Sequence, residues 1–161
     1  MTAVDWAGWA FFGFMATIVL TMIMVGAQLL GLSRLDFTLV LGTVFVEDPD
    51  RARLAGFFLH LVAGQAFAFL YAAAFALLGT SSMLLGAVFG LVHGIAALVV
   101  IVPLLPTVHP RMASERTGPD FEVGLEPPGH LALNYGRLTP VVTMVAHLAY
   151  GAVLGAFLTP T

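Results

Sequence analysis

Three imidazoles sit where ionisable groups are rarest. His60, His93 and His147 each lie in a long stretch of chain that contains no Asp, Glu, Lys or Arg. Ionisable side chains in such stretches are expensive inside a bilayer, so they face the bundle interior and are candidates for function. Their neighbours are small. Gly56 and Gly64 lie four residues to either side of His60, and Thr143 and Gly151 do the same for His147. Gly86, Gly90 and Gly94 run beside His93 at the same spacing. Residues four apart share one face of a helix. That pattern has two uses. Glycine faces let helix backbones approach closely, with each His hydrogen-bonded across the contact. Alternatively, a flanking glycine makes room for a flat macrocycle with His as axial ligand, which makes haem or another tetrapyrrole the candidate cofactor. A metal site built from the three His, or a proton relay through them, belongs to the same group of readings. With no Cys in the chain, thiolate chemistry and Cys-ligated metal sites are excluded.

A second set of polar residues lies in the proline-rich stretch 106–138. His109, Arg111, Arg116, His130, Tyr135 and Arg137 can line a pocket at the mouth of a helix bundle, or the arginines can grip phospholipid headgroups. Ser114 has no nucleophile elbow around it, and no pairing of nucleophile, base and orienting group is recognisable. The reading therefore leans away from an enzyme.

The elements that must position these residues follow from where the charges are. Of 161 residues, 60% are hydrophobic and 9% charged, against about 25% charged in a soluble domain. The six cationic residues are all Arg and do not cluster, which excludes a nucleic-acid binder. Apart from Asp5, every charge falls between positions 34 and 53 or between 111 and 137. The apolar stretches left over predict four transmembrane helices, over about 6–32, 49–79, 82–105 and 140–158, since about 20 residues cross the hydrocarbon core. Helices are required because no water inside the bilayer can satisfy free backbone groups. Asp48-Pro49 and Thr139-Pro140 read as N-caps followed by a first-turn proline. Gly79-Thr80-Ser81-Ser82 reads as a tight turn between spans two and three. The apolar piece 35–46 is too short to span and predicts an interfacial or re-entrant helix. The fold class is thus an all-α integral membrane protein, a four-helix bundle with a long loop over 106–138. Counting about 1.5 Å per residue, His60 and His147 lie roughly 10 Å below the headgroups and His93 roughly 18 Å.

All six Arg lie in the two charged loops, so the positive-inside rule puts loops 33–53 and 106–138 in the cytoplasm and both termini outside. The stretches LVLGTVFVEDPDRAR, GFFLHLVAG, GLVHG, LLPTVHPRMASE, PPGHLALNYGR and AHLAYGAVLGAF cover most of the chain. With HPRMASE and NYGR the most specific, they resemble a family of small bacterial four-helix inner-membrane proteins of unknown function. The resemblance implies the four-span layout and a bacterial inner-membrane location, and it brings no activity with it. The leading functional expectation is a non-enzymatic membrane protein, an accessory or structural subunit acting through helix packing and its loop. Its partners would be the lipid bilayer and either other transmembrane subunits or a second copy. The alternative is a haem, pigment or metal protein using the intramembrane His residues for electron transfer or sensing. A transporter or enzyme for an apolar or lipid substrate has less behind it, because no inverted repeat or midplane helix break is legible.

The topology is directly testable, since a single introduced Cys is unique in this chain. Ala3→Cys should react with a membrane-impermeant maleimide on intact cells and Gly118→Cys only after lysis; labelling of position 118 from outside would reverse the orientation.

Overall fold

Most helices begin where a short polar side chain can take up a free backbone amide. The computed structural model describes residues 4–113 and 124–160. Asp5 accepts from the Gly8 amide at 2.8 Å and opens α1, Trp6–Leu29. Asp36 accepts from Leu39 at 2.9 Å and opens the short α2, Phe37–Gly42. Asp48 accepts from Arg51 at 2.9 Å, with Pro49 in the first turn, and opens α3, Pro49–Leu78. Gly79, in the left-handed region at φ +67°, ends α3, and Ser82 caps α4, Met83–Ala96, by accepting from Leu85 at 3.1 Å. A π turn over Ala97–Ile101 leads straight into α5, Val102–Val108. A 3-10 stretch, His130–Tyr135, precedes α6, Thr139–Phe157. Four of the resulting helices are long and apolar enough to cross a membrane: Trp6–Leu29, Pro49–Leu78, Met83–Val108 and Thr139–Phe157. The chain is an all-helical, multi-pass membrane protein, and among the described residues the one isolated β-bridge joins Met112 to Leu125.

Four local expectations need correction. Thr139 is the first residue of α6 and not its cap, because its hydroxyl bonds to that of Ser33 at 2.8 Å. The third span continues past residue 105 to Val108, with Pro106 inside it. Pro103 has no N–H for the carbonyl four residues before it, and the i→i+5 pattern of the π turn passes over that gap. The first span stops at Leu29, where Gly31 at φ +69° reverses the chain and Leu32 donates back to the Ala27 carbonyl. Within 35–46 only Phe37–Gly42 is helical. That short helix lies so close on α3 that a methyl at Gly42 would overlap the Ala52 backbone and one at Gly56 the Thr38 backbone.

The bundle is a ring of neighbours with one loose edge. α3 packs on α1, α1 on α6, and α6 on α4. Between α4 and α6 the contact is backbone to backbone: Gly86 and Gly90 face Gly151, Gly155 and the His147 carbonyl with no space for a Cβ. Between α1 and α3, Gly13 faces Gln65 and Ala68, and Gly64 faces Thr17. The glycine stripes are thus consumed inside the monomer. α3 and α4, although joined by the short turn, scarcely approach one another through their backbones. Their seam is filled near the turn by rings, with Phe75 stacked on Phe89 at 5.5 Å and Tyr71 edge-on to Phe89 at 5.8 Å.

Gly151→Ala should lower stability in mild detergent by about 1–3 kcal/mol, the usual range for forcing extra volume into a tight contact. Gly26→Ala, where nothing lies within 4 Å of the new methyl, should be neutral or gain up to about 1 kcal/mol of helix propensity. Thermal or SDS unfolding of the two variants reads the difference.

Candidate functional site

The three intramembrane imidazoles converge. His60 on α3, His93 on α4 and His147 on α6 all line one partly open cavity of about 190 Å³. Its walls are almost wholly apolar, with Leu20 and Met24 from α1 and Ala97 and Ile101 from the π turn among them. At the end nearer the charged loops it is closed by Leu35 and by Phe37 and Leu41 of α2. At the other end stands Tyr150, whose hydroxyl donates across the bundle to the Gly64 carbonyl at 2.6 Å.

Each imidazole is held by one nitrogen. His60 Nδ1 lies 3.1 Å from the Thr21 hydroxyl, and Phe37 of α2 lies edge-on to the ring at 5.1 Å. His147 Nδ1 donates to the Thr143 carbonyl one turn earlier, at 2.8 Å. His93 Nδ1 lies 3.4 Å from the Tyr71 hydroxyl, and its ring sits 4.0 Å from that of Phe67. Residue-by-residue depth pairs His60 with His147, but the closest pair of imidazoles is His93 and His147, edge to face with centroids 4.7 Å apart. The glycine contact between α4 and α6 brings those two together.

This geometry does not fit a tetrapyrrole. An edge-to-face contact leaves no gap for a macrocycle between His93 and His147. The volume is also below the ~300–1,000 Å³ of pockets that enclose drug-sized ligands. Nor do three His, Asp or Glu side chains among the described residues converge closely enough to hold a metal ion.

Two polar features of the site escaped the sequence. Thr17 and Thr21 continue the four-residue spacing of Gly13 along α1, and each returns its hydroxyl proton to the carbonyl one turn earlier, at 2.8 and 2.7 Å. Thr143 reads in the sequence as a small neighbour of His147. In the structure its Oγ1 is buried at the cavity wall without a hydrogen-bond partner.

The described residues of the 106–138 stretch do not gather into a pocket of their own. His109 Nε2 is 2.8 Å from the Val40 carbonyl, and Arg111 donates to the Thr43 and Val44 carbonyls and pairs with Glu47 at 3.0 Å. Both fasten α2 and the turn after it. Tyr135 is buried and donates to the Glu126 carbonyl; burial, with the Glu126 charge adding to it and Arg34 opposing, pushes its hydroxyl up to about 12. His130 and Arg137 are exposed, and Arg116 lies outside the described residues. No family model, no curated protein and no solved structure matches the chain.

Asp36 ties the closing element to α3. Burial alone would raise its carboxyl, but the Leu39 amide, the Arg53 guanidinium at 2.8 Å and the Thr38 hydroxyl outweigh it and hold it below the usual carboxylate range. A lowered folded value means a contribution fully present above that range and lost as pH falls through the folded value. Asp36→Asn keeps a capping side chain and removes the charge. It should be less stable than the parent by about 0.2–1 kcal/mol at neutral pH, the range for a partly exposed pair. The difference should disappear in acid, as read by melting curves across pH.

Proposed function

We propose that this is a non-enzymatic binding protein of the bacterial inner membrane whose site is the imidazole-lined cavity, and whose ligand is a mostly apolar molecule presenting one six-membered ring to it. The cavity carries this reading. An engineered cavity of about 150 Å³ in a protein core takes benzene, so a space slightly larger suits a single substituted ring. The residues lining it include no carboxylate and no Ser, so its imidazoles have neither an orienting carboxylate nor a serine nucleophile beside them.

Location in the inner membrane follows from the resemblance of the sequence to small bacterial four-helix proteins. The cytoplasmic position of the loops follows from their arginines. The fold supports treating those loops as one face: Arg34 pairs with Glu126, Arg53 with Asp36 and Arg111 with Glu47, joining the segments around α2, the start of α3 and the stretch before α6. Service as an accessory subunit beside other transmembrane helices, or as a homo-oligomer, is compatible with ligand binding. The glycine stripes lend it no weight, because they close on one another within the bundle.

Toluene added to the purified protein in bilayer discs should raise its unfolding stability in a saturable way, by about 2.7 kcal/mol at one hundred times Kd. Ala63→Phe, which fills the cavity from α3, should abolish the effect. Equal, non-saturating responses from the parent and Ala63→Phe would mean that toluene acts through the lipid and that the cavity is not a site.

A further inference from the structure

We infer that the cavity recognises a hydroxyl group on its ring ligand, so that the class it takes is a phenol or hydroquinone head carried on an apolar tail. The inference rests on the ring-binding reading and adds to it the hydrogen-bond polarity of the site. That polarity can be worked out proton by proton.

A hydroxyl has one proton to give. Thr21 gives its proton to the Thr17 carbonyl at 2.7 Å, so at 3.1 Å from His60 it can only accept, and His60 Nδ1 carries the hydrogen. A carbonyl can only accept, so His147 Nδ1 carries its hydrogen as well. In an uncharged imidazole one nitrogen donates and the other accepts. Nε2 of His60 and Nε2 of His147 are therefore bare acceptors, and neither has a hydrogen bond to the described residues. Both residues line the cavity. His93, the third imidazole on the wall, is engaged through Nδ1 by the Tyr71 hydroxyl at 3.4 Å, and its Nε2 is likewise without a hydrogen bond there. Thr143, on the same wall, is 4% exposed and its Oγ1 has no partner either. Unsatisfied polar groups in an apolar interior are costly and rare, and such a group in a native structure calls for a partner. The missing partner must donate to an imidazole nitrogen. A hydroxyl does so; a ketone, an ether or a hydrocarbon cannot.

Access and tail follow from the fold. The loose edge of the bundle lies between α3 and α4; Phe67 meets His93 across it at 4.0 Å, and beside that pair Ala63 of α3 and Ala97 and Ile101 of the π turn line the cavity. The volume holds the ring alone, so a longer substituent has to leave the cavity, and we place its exit at this edge, where the helix backbones stand furthest from contact. In a membrane the seam opens onto acyl chains, where an apolar tail is at home.

The full chain in bilayer discs tests this with p-cresol and p-xylene, which have the same shape and differ by hydroxyl against methyl. Affinities are compared after correcting for partition into the bilayer. The parent should prefer p-cresol by at least about tenfold. His60→Leu or His147→Leu should bring the two affinities together, and Thr143→Val, which removes a hydroxyl buried away from the cavity space, should leave the preference in place. Retained p-xylene binding in each variant shows that the cavity survives. Nitrogen-15 spectra of the His side chains should show Nδ1 protonated and Nε2 bare in His60 and His147, with Nε2 shifting on p-cresol addition. Equal affinity of the parent for the two probes, or a preference untouched in both His variants, would overturn the inference and leave ring binding standing. Absence of saturable binding by either probe would remove both.

Discussion

The approach of α4 to α6 governs the arrangement of the other helices. Within a bilayer there is no hydrophobic drive between helices, since acyl chains are as apolar as leucine, and close packing of small residues takes its place. Gly86 and Gly90 on α4 and Gly151 and Gly155 on α6 provide the most extended such surface between the spanning helices, backbone against backbone. The weaker small faces, Gly13 against Ala68 and Gly64 against Thr17, bind α1 to α3. Since α4 is drawn onto α6, it cannot also lie along α3. The hairpin that the sequence draws between these two helices is splayed, and side chains fill it. From the turn as far as Phe67 and His93 those side chains are rings and meet. Beside that last pair, towards the charged end, a cavity is left.

The polar side chains inside the bundle obey one rule with few exceptions. Each returns its hydrogen to a helix carbonyl: Thr17 to Gly13, Tyr150 to Gly64, Trp9 to Gln65 and Gln65 to Ala10. A carbonyl has a second lone pair beyond its helical bond, so these contacts satisfy the side chain without unwinding the backbone. One orphan, Gln65 Oε1, sits against Gly13 in the contact of α1 with α3. Among the described residues the other uncommitted atoms are those around the cavity, where Thr143 Oγ1 and the outer nitrogens of the three imidazoles lack hydrogen bonds. Their concentration in one space, bounded by otherwise apolar walls, separates that space from a packing defect.

The charged end is stiffened by a different chemistry. α2 is only six residues long, and an isolated helix of that length is not stable in water. It holds because Asp36 caps it and pairs with Arg53, because Gly42 and Gly56 let it lie flush on α3, and because His109 and Arg111 take up carbonyls at its far end. Its apolar side, Phe37 and Leu41, faces the cavity. Residues at 36, 53, 109 and 111 therefore act together to place one wall of the candidate site.

Much of this was legible in the residues themselves. The bilayer allows only segments whose backbone groups are satisfied internally, so charge-free stretches of adequate length had to be helices, and Asp48-Pro49, Gly79 and Ser82 mark their ends by local chemistry alone. The same local cost picks out His60, His93 and His147 as inward-facing. Which helices touch is a different matter, because every glycine stripe looks alike in sequence and only the assembled bundle selects a partner for each. That selection set His93 against His147, opened the seam between α3 and α4, and turned Thr139 from a cap into the partner of Ser33. The protonation pattern of the imidazoles lay equally out of reach. It depends on Thr21 having given its one hydrogen to its own helix before His60, thirty-nine residues further along the chain, meets it in space.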